Sequence, residues 1–89
     1  SIEMGQASDN LEHIVKAIHN KEVKNLYLVE NKRIFGTVDW EKLSVQVSQA
    51  SETDVLEELA EHAIRAHAKV YSVPKDWLKV PNGILVEYY

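Results

Sequence analysis

Val55, Leu56, Leu59, Ala60, Ala63, Ile64 and His67 recur at three- and four-residue intervals, the spacing of one helical face. This stripe constrains the chain more than any other feature, because a helix so patterned must lie against an apolar partner. Ser51-Glu52-Thr53-Asp54 precedes it and reads as a helix start. Ser51 stands three residues ahead of Asp54 in capping-box spacing, and Thr53 is an equally good cap. The predicted helix therefore spans 53–67. Glu52, Asp54, Glu57, Glu58 and Glu61 crowd its first half, where the helix dipole favours negative charge, and Arg65 and Lys69 follow toward the other end.

Strand-like runs flank that helix. Leu26-Tyr27-Leu28-Val29-Glu30 is short, apolar and rich in strand formers, and its continuity predicts a strand covered on both faces. Asn31-Lys32 separates it from Arg33-Ile34-Phe35-Gly36-Thr37-Val38-Asp39, which predicts a hairpin whose second strand is an edge open to pairing with a second copy. The signal weakens over 40–51, where Val45 and Val47 fit a short strand or an irregular connection. Lys69–Val73 alternates and stops at Pro74, Lys75–Leu78 reads as a helical turn or loop, and Pro81-Asn82-Gly83 is a loop ahead of a closing strand over 84–89. Near the start, Ser8, Asp9 and Asn10 offer caps, and Leu11, Ile14, Val15 and Ile18 predict a helix over 9–20; residues 1–8 read as a linker or frayed N-terminus. The order helix, hairpin, helix, strand, loop, strand implies an α/β sandwich with a mixed sheet of about four strands. Its predicted core is Leu26, Leu28, Leu59, Ile64, Val70 and Leu85, in one domain over 9–89.

Composition narrows the class without assigning an activity. At 89 residues there is room for one small domain, large enough for an ordinary apolar core. Without cysteine there is no disulfide framework and no thiolate zinc or redox site, which suits a reducing, cytoplasmic setting. A formal charge of −4 weighs against a strongly basic nucleic-acid module. No apolar run nears the roughly 20 residues that span a bilayer, and no cationic leader opens the sequence, so no membrane partner is expected.

The chemistry-bearing residues are sparse. His62 and His67, five apart, point in different directions on a helix; Glu58 and His62 share a face, but two ligands do not make a metal site. The run Glu57, Glu58, Glu61 is a docking face for a basic partner or, more ordinarily, a solvated face. Trp40 and Trp77 each close one end of a small core or, if solvent-facing, stack on a base or anchor a partner. Lys21, Lys24, Lys32, Arg33, Lys75 and Lys79 are scattered over loop positions. The serines lie in no nucleophile elbow, and the three glycines form no phosphate loop. The expectation is no catalytic residue, no cofactor, no metal and no small-molecule substrate.

Three passages carry a family resemblance. They are Leu11–Ile18 continuing through Glu22–Asn31, Val55–Ala63 leading into Ala68–Val73, and Asn82-Gly83-Ile84-Leu85-Val86-Glu87-Tyr88. Together they resemble the third, C-terminal domain of the eukaryotic and archaeal type of class I peptide chain release factor, particularly its bacterial relatives, over about residues 10–89. That resemblance implies an α/β/α sandwich shared with ribosomal proteins that bind kink-turn RNA, and a role in translation. In the family this domain is mainly a docking platform for a partner translational GTPase, while the Gly-Gly-Gln loop and the codon-reading motif belong to other domains. Neither motif occurs here, so the chain looks like a fragment of a longer protein. Two departures stand out: Pro81-Asn82-Gly83 replaces a multi-glycine loop, and Glu87 stands where the family often has arginine.

The expected function is a non-catalytic interaction domain of a bacterial release-factor-like protein, docking a protein partner (GTPase-like) or the ribosome. Its rivals are a kink-turn RNA binder and an accessory domain of an enzyme whose active site lies elsewhere. Candidate partner or RNA contacts are Lys21, Lys24, Trp77, Lys79, Asn82 and Gly83.

Overall fold

A computed structural model describes residues 6–89. Residues 1–5, which make up most of the expected linker, lie outside the described residues. The elements are β1 (Ala7–Ser8), α1 (Leu11–His19), β2 (Val23–Val29), β3 (Gly36–Asp39), β4 (Ser44–Val47), α2 (Val55–Arg65), β5 (Lys69–Val73) and β6 (Ile84–Tyr88). A 3-10 turn over Lys75–Trp77 separates the last two strands. No described helix is long and apolar enough to cross a membrane.

The chain is a mixed α/β domain. Its main sheet has the order β1-β6-β2-β5, with β5 parallel to β2 and β6 antiparallel to both β1 and β2. Ala7 and Ser8, expected within the linker, pair with Glu87 and Val86 instead. The crossovers β1-α1-β2 and β2-α2-β5 step in the same direction across the sheet, and crossovers of one hand then place both helices on one face. On that face α1 and α2 pack on each other. Across their far side runs the two-stranded ribbon β3-β4, touching α1 through β4 and α2 through β3.

The core lies between the helices and the even-numbered positions of the sheet. Ile14, Val15, Leu26, Val55, Leu59, Ala63, Ile84 and Val86 are fully buried. A β-bulge between Val23 and Asn25 lets β2 supply both Val23 and Leu26 to this face, since the register slips by one residue there. Of the six expected core residues, Leu26 and Leu59 are buried outright, and Leu28 and Val70 pack half-buried against them. Two expectations fail. Ile64 is 58% exposed, because α2 turns the Val55 margin of its stripe inward. Leu85 lies on the opposite sheet face, paired with Tyr27.

The expected hairpin also needs correction. Both edges of β2 are taken, by β5 and β6, so the run 33–39 cannot pair with it. That run forms β3 and pairs with β4, the weakly signalled stretch. Its other edge is stitched to the start of α2: Gly36 N–H donates to Thr53 C=O at 3.0 Å, and Val55 N–H to Ile34 C=O at 2.7 Å. The start of this edge, at Ile34 and Gly36, is therefore already hydrogen-bonded within the chain. Nor is β2 covered on both faces by helices: among the described residues no α-helix packs against the side bearing Asn25 and Tyr27.

The helix ends follow one plan. Asn10 caps α1, accepting from His13 N–H at 3.0 Å. Asp54, rather than Ser51 or Thr53, caps α2, accepting from Leu56 N–H at 3.1 Å. Both helices finish in a Schellman motif: Lys21 N–H donates to Ile18 C=O and Glu22 N–H to Ala17 C=O, as His67 N–H does to Ile64 and Ala68 N–H to Ala63. The left-handed residue, usually glycine, is Lys21 (φ 59°) in one and His67 (φ 70°) in the other. His67 accordingly leaves the buried stripe and is exposed.

Candidate functional site

The sheet face opposite the helices is built from odd-numbered strand positions. Register places Tyr27 of β2 beside Tyr71 of β5 and Leu85 of β6, and Asn25 beside Glu87. The Tyr27 and Tyr71 rings stack with centroids 5.3 Å apart and planes at 18°. Tyr27 Oη donates to Glu87 Oε1 at 2.7 Å, and Asn25 Nδ2 donates to the same oxygen at 3.0 Å. The Tyr27 hydroxyl first, then the Asn25 amide, hold the Glu87 carboxyl below its ordinary range; burial opposes them and the Lys24 charge assists. The same bond, with burial behind it, pushes the Tyr27 hydroxyl up.

Pro74 ends β5 and feeds the 3-10 turn, closed by Trp77 N–H donating to Pro74 C=O at 2.9 Å. The turn carries Trp77 onto the rim of this face, 76% exposed. Trp77, Leu78, Tyr27, Tyr71, Leu85 and Glu87 thereby line an open trough of about 490 Å³. It offers aromatic π faces, an aliphatic floor and one hydrogen-bonded carboxylate, a surface suited to an apolar anchor flanked by a cation.

Of the six sequence candidates, only Trp77 lines this trough. Trp77 does not close the core; Trp40 does, half-buried and stacked on His62 at 4.1 Å, its Nε1 donating to Glu58 Oε2 at 2.9 Å. Glu58 and His62 do share a face, with Oε2 and Nε2 4.0 Å apart. Lys21 sits in the left-handed turn after α1, and Lys24 is exposed at the bulge that opens β2. Asn82 and Gly83 lie at the far end of that strand, where Gly83 C=O accepts from Val29 N–H at 2.9 Å. Lys79 is on their side: its neighbours Leu78 and Val80 border a hollow with Val29, Glu30 and Gly83. About 20 Å of strand separates the two groups, so Lys21, Lys24 and Lys79 build no single basic patch.

Gly83 has an architectural job as well. Its φ is +70°, and a Cβ there would lie 2.5 Å from Lys32 Cγ. Asn82 Nδ2 reaches the Asp9 carbonyl at 3.5 Å. Glu57 and Glu61 face a second hollow, across from Lys32 and Arg33. Among the described residues, no three His, Asp or Glu side chains converge as a metal site would require.

The sequence reading missed Tyr27, Tyr71, Leu85 and Glu87 as a surface. The signal was alternation: Asn25, Tyr27 and Val29 interleave with Leu26 and Leu28, as Leu85 and Glu87 do with Ile84 and Val86. An aromatic or polar residue at every second position marks a wetter face. No protein-family model matches this chain, and no curated protein matches it at a significant level.

Proposed function

We propose that the chain is a non-catalytic interaction domain whose open sheet face docks a protein partner. One observation carries this reading: stacked Tyr27 and Tyr71, Leu85 and a 76% exposed Trp77 occupy a sheet face that no α-helix covers among the described residues. Exposed tryptophan and tyrosine beside aliphatic side chains are the residues that dominate binding energy at protein interfaces. Glu87 argues for protein over RNA, since an anchored carboxylate at the centre of the trough repels phosphate and attracts lysine or arginine. The split of Lys21 and Lys24 from Lys79 supports the same preference. The resemblance to the third domain of release factors supplies the partner class: a translational GTPase or the ribosome, in the cytoplasm.

The test measures binding of the purified chain to ribosomes and to a translational GTPase from the same organism. Trp77→Ala and Leu85→Lys are each expected to weaken binding by about tenfold or more while circular dichroism stays unchanged. Binding that ignores both substitutions sinks the docking face. Retention of kink-turn RNA on a filter at low salt, lost as salt rises, favours the RNA-binding reading instead.

A further inference from the structure

The strand β5 ends the main sheet, and its outer edge is a self-complementary template. Glu30 N–H donates to Val73 C=O at 2.8 Å, and Val29 is the register partner of Val73. In a parallel ladder alternate residues serve the neighbouring strand, so Tyr71 and Val73 face β2 with their backbone groups. Val70 and Ser72 then direct their N–H and C=O groups outward. Among the described residues, neither makes a backbone hydrogen bond outside the ladders.

We propose that β5 pairs antiparallel with β5 of a second copy about a two-fold axis at Tyr71, extending the sheet across both chains. The register follows from the outward groups. Centring on Tyr71 sets Val70 opposite the second copy's Ser72, and Ser72 opposite its Val70. Both pairs are then of the hydrogen-bonded kind, and all four outward groups of each strand find partners. Centring on Val70 instead sets Ser72 against Ala68, whose N–H is already given to Ala63 C=O. Centring on Ser72 sets Val70 against Pro74, which has no N–H. Only the Tyr71 register satisfies every group.

The side chains agree with this register. Lys69 meets Val73, so no like charges are opposed. Tyr71 meets its own copy at a non-hydrogen-bonded position, where side chains approach most closely and aromatic pairs are favoured. Each Tyr71 is 43% exposed and already stacks on Tyr27, so the join makes a row of four rings on the open face. An isologous two-fold is the commonest oligomer symmetry. This inference stands on backbone groups at the sheet edge, so a monomeric protein leaves the docking of a partner on the open face intact.

Sedimentation of the purified chain across about two decades of concentration reads the mass directly. A rise from one copy to two is expected, and Tyr71→Lys, which sets two ammonium groups together on the axis, is expected to hold the chain at one copy with its thermal melt preserved. The absence of cysteine adds a register-specific assay. Under mild oxidation, Tyr71→Cys is expected to form a disulfide-linked dimer at least about tenfold faster than Lys69→Cys or Ser72→Cys, because only position 71 faces itself within disulfide reach. A single-copy mass at every concentration, a two-copy mass that persists in Tyr71→Lys, or equal cross-linking at 69, 71 and 72 overturns the proposal.

Discussion

Replacing Asp54 with alanine removes two bonds from one carboxylate. Asp54 Oδ1 accepts from Leu56 N–H at 3.1 Å as the N-cap of α2, and from Ile34 N–H at 3.0 Å across twenty residues of sequence. Loss of a good N-cap costs about 1 kcal/mol. The second loss leaves Ile34 N–H half-buried without its acceptor, which adds about 1–2 kcal/mol. The expected destabilisation is therefore about 2–3 kcal/mol, against a total of about 4–13 kcal/mol for a domain of this length. In a chain of this size that lowers Tm by about 10–20 °C. Asp54→Asn keeps an acceptor in the same place and loses only the charge at the helix N-terminus, about 0.3–1 kcal/mol. Urea and thermal unfolding followed by circular dichroism at the helical band measure both. If Asp54→Ala falls within about 0.5 kcal/mol of the parent, or Asp54→Asn is as damaging as Asp54→Ala, the carboxylate is not what ties the ribbon to the helix.

Other substitutions probe the remaining parts. His67→Gly and Lys21→Gly each relieve a left-handed side-chain residue at a Schellman turn and are expected to stabilise by about 0.5–1 kcal/mol in the same melts; any loss of stability contradicts the strain argument. Leu59→Ala empties a fully buried position between the helices and the sheet and is expected to cost about 2–5 kcal/mol by urea titration. Glu87→Gln tests the open face by pH. The folded carboxyl titrates below its ordinary value of about 4.5, so its stabilisation is complete above that value and disappears as pH falls through the lowered one. The Tm gap between parent and Glu87→Gln is expected to be widest near neutrality and to close on acidification below about pH 4.5; a gap constant from neutral to acid pH refutes the linkage.

The helices were legible because their constraint is local. Leu11, Ile14, Val15 and Ile18 face one way at any register, and α1 and α2 form where that periodicity places them. Which margin of a stripe turns inward is decided by what it packs against, and on α2 that choice buried Val55 and left Ile64 outside. The helix ends were blurred for a chemical reason: lysine and histidine occupy the left-handed positions where glycine would mark a stop. Strand pairing was less legible still. Leu26–Glu30 and Arg33–Asp39 sit close in sequence and look like partners, but both edges of β2 are claimed by strands more than forty residues away, Lys69–Val73 and Ile84–Tyr88. No local pattern encodes that competition. Of the candidate site, Trp77 was visible as a loop tryptophan, whereas Tyr27 and Tyr71 meet only once β2 and β5 are in register.

The open face follows from topology, and this gives the trough a meaning beyond its shape. With the order β1-β6-β2-β5, both crossovers travel the same way, so α1 and α2 go to a single side of the sheet. Covering the other side would require a crossover that reverses direction, and none is present among the described residues. The short segment 74–82 reaches it, contributing Leu78 and Trp77 to one rim. A face left to water by the topology would ordinarily be furnished with lysine, glutamate and threonine. Here it carries Tyr27, Tyr71 and Leu85, with Glu87 pinned by two hydrogen bonds rather than reaching into solvent. Tyrosine is the side chain suited to a surface that is alternately wet and covered, since its ring packs against an apolar partner while its hydroxyl keeps a polar contact. Folding alone gains little from such a choice on an uncovered sheet; a surface that spends part of its time beneath another protein gains much more.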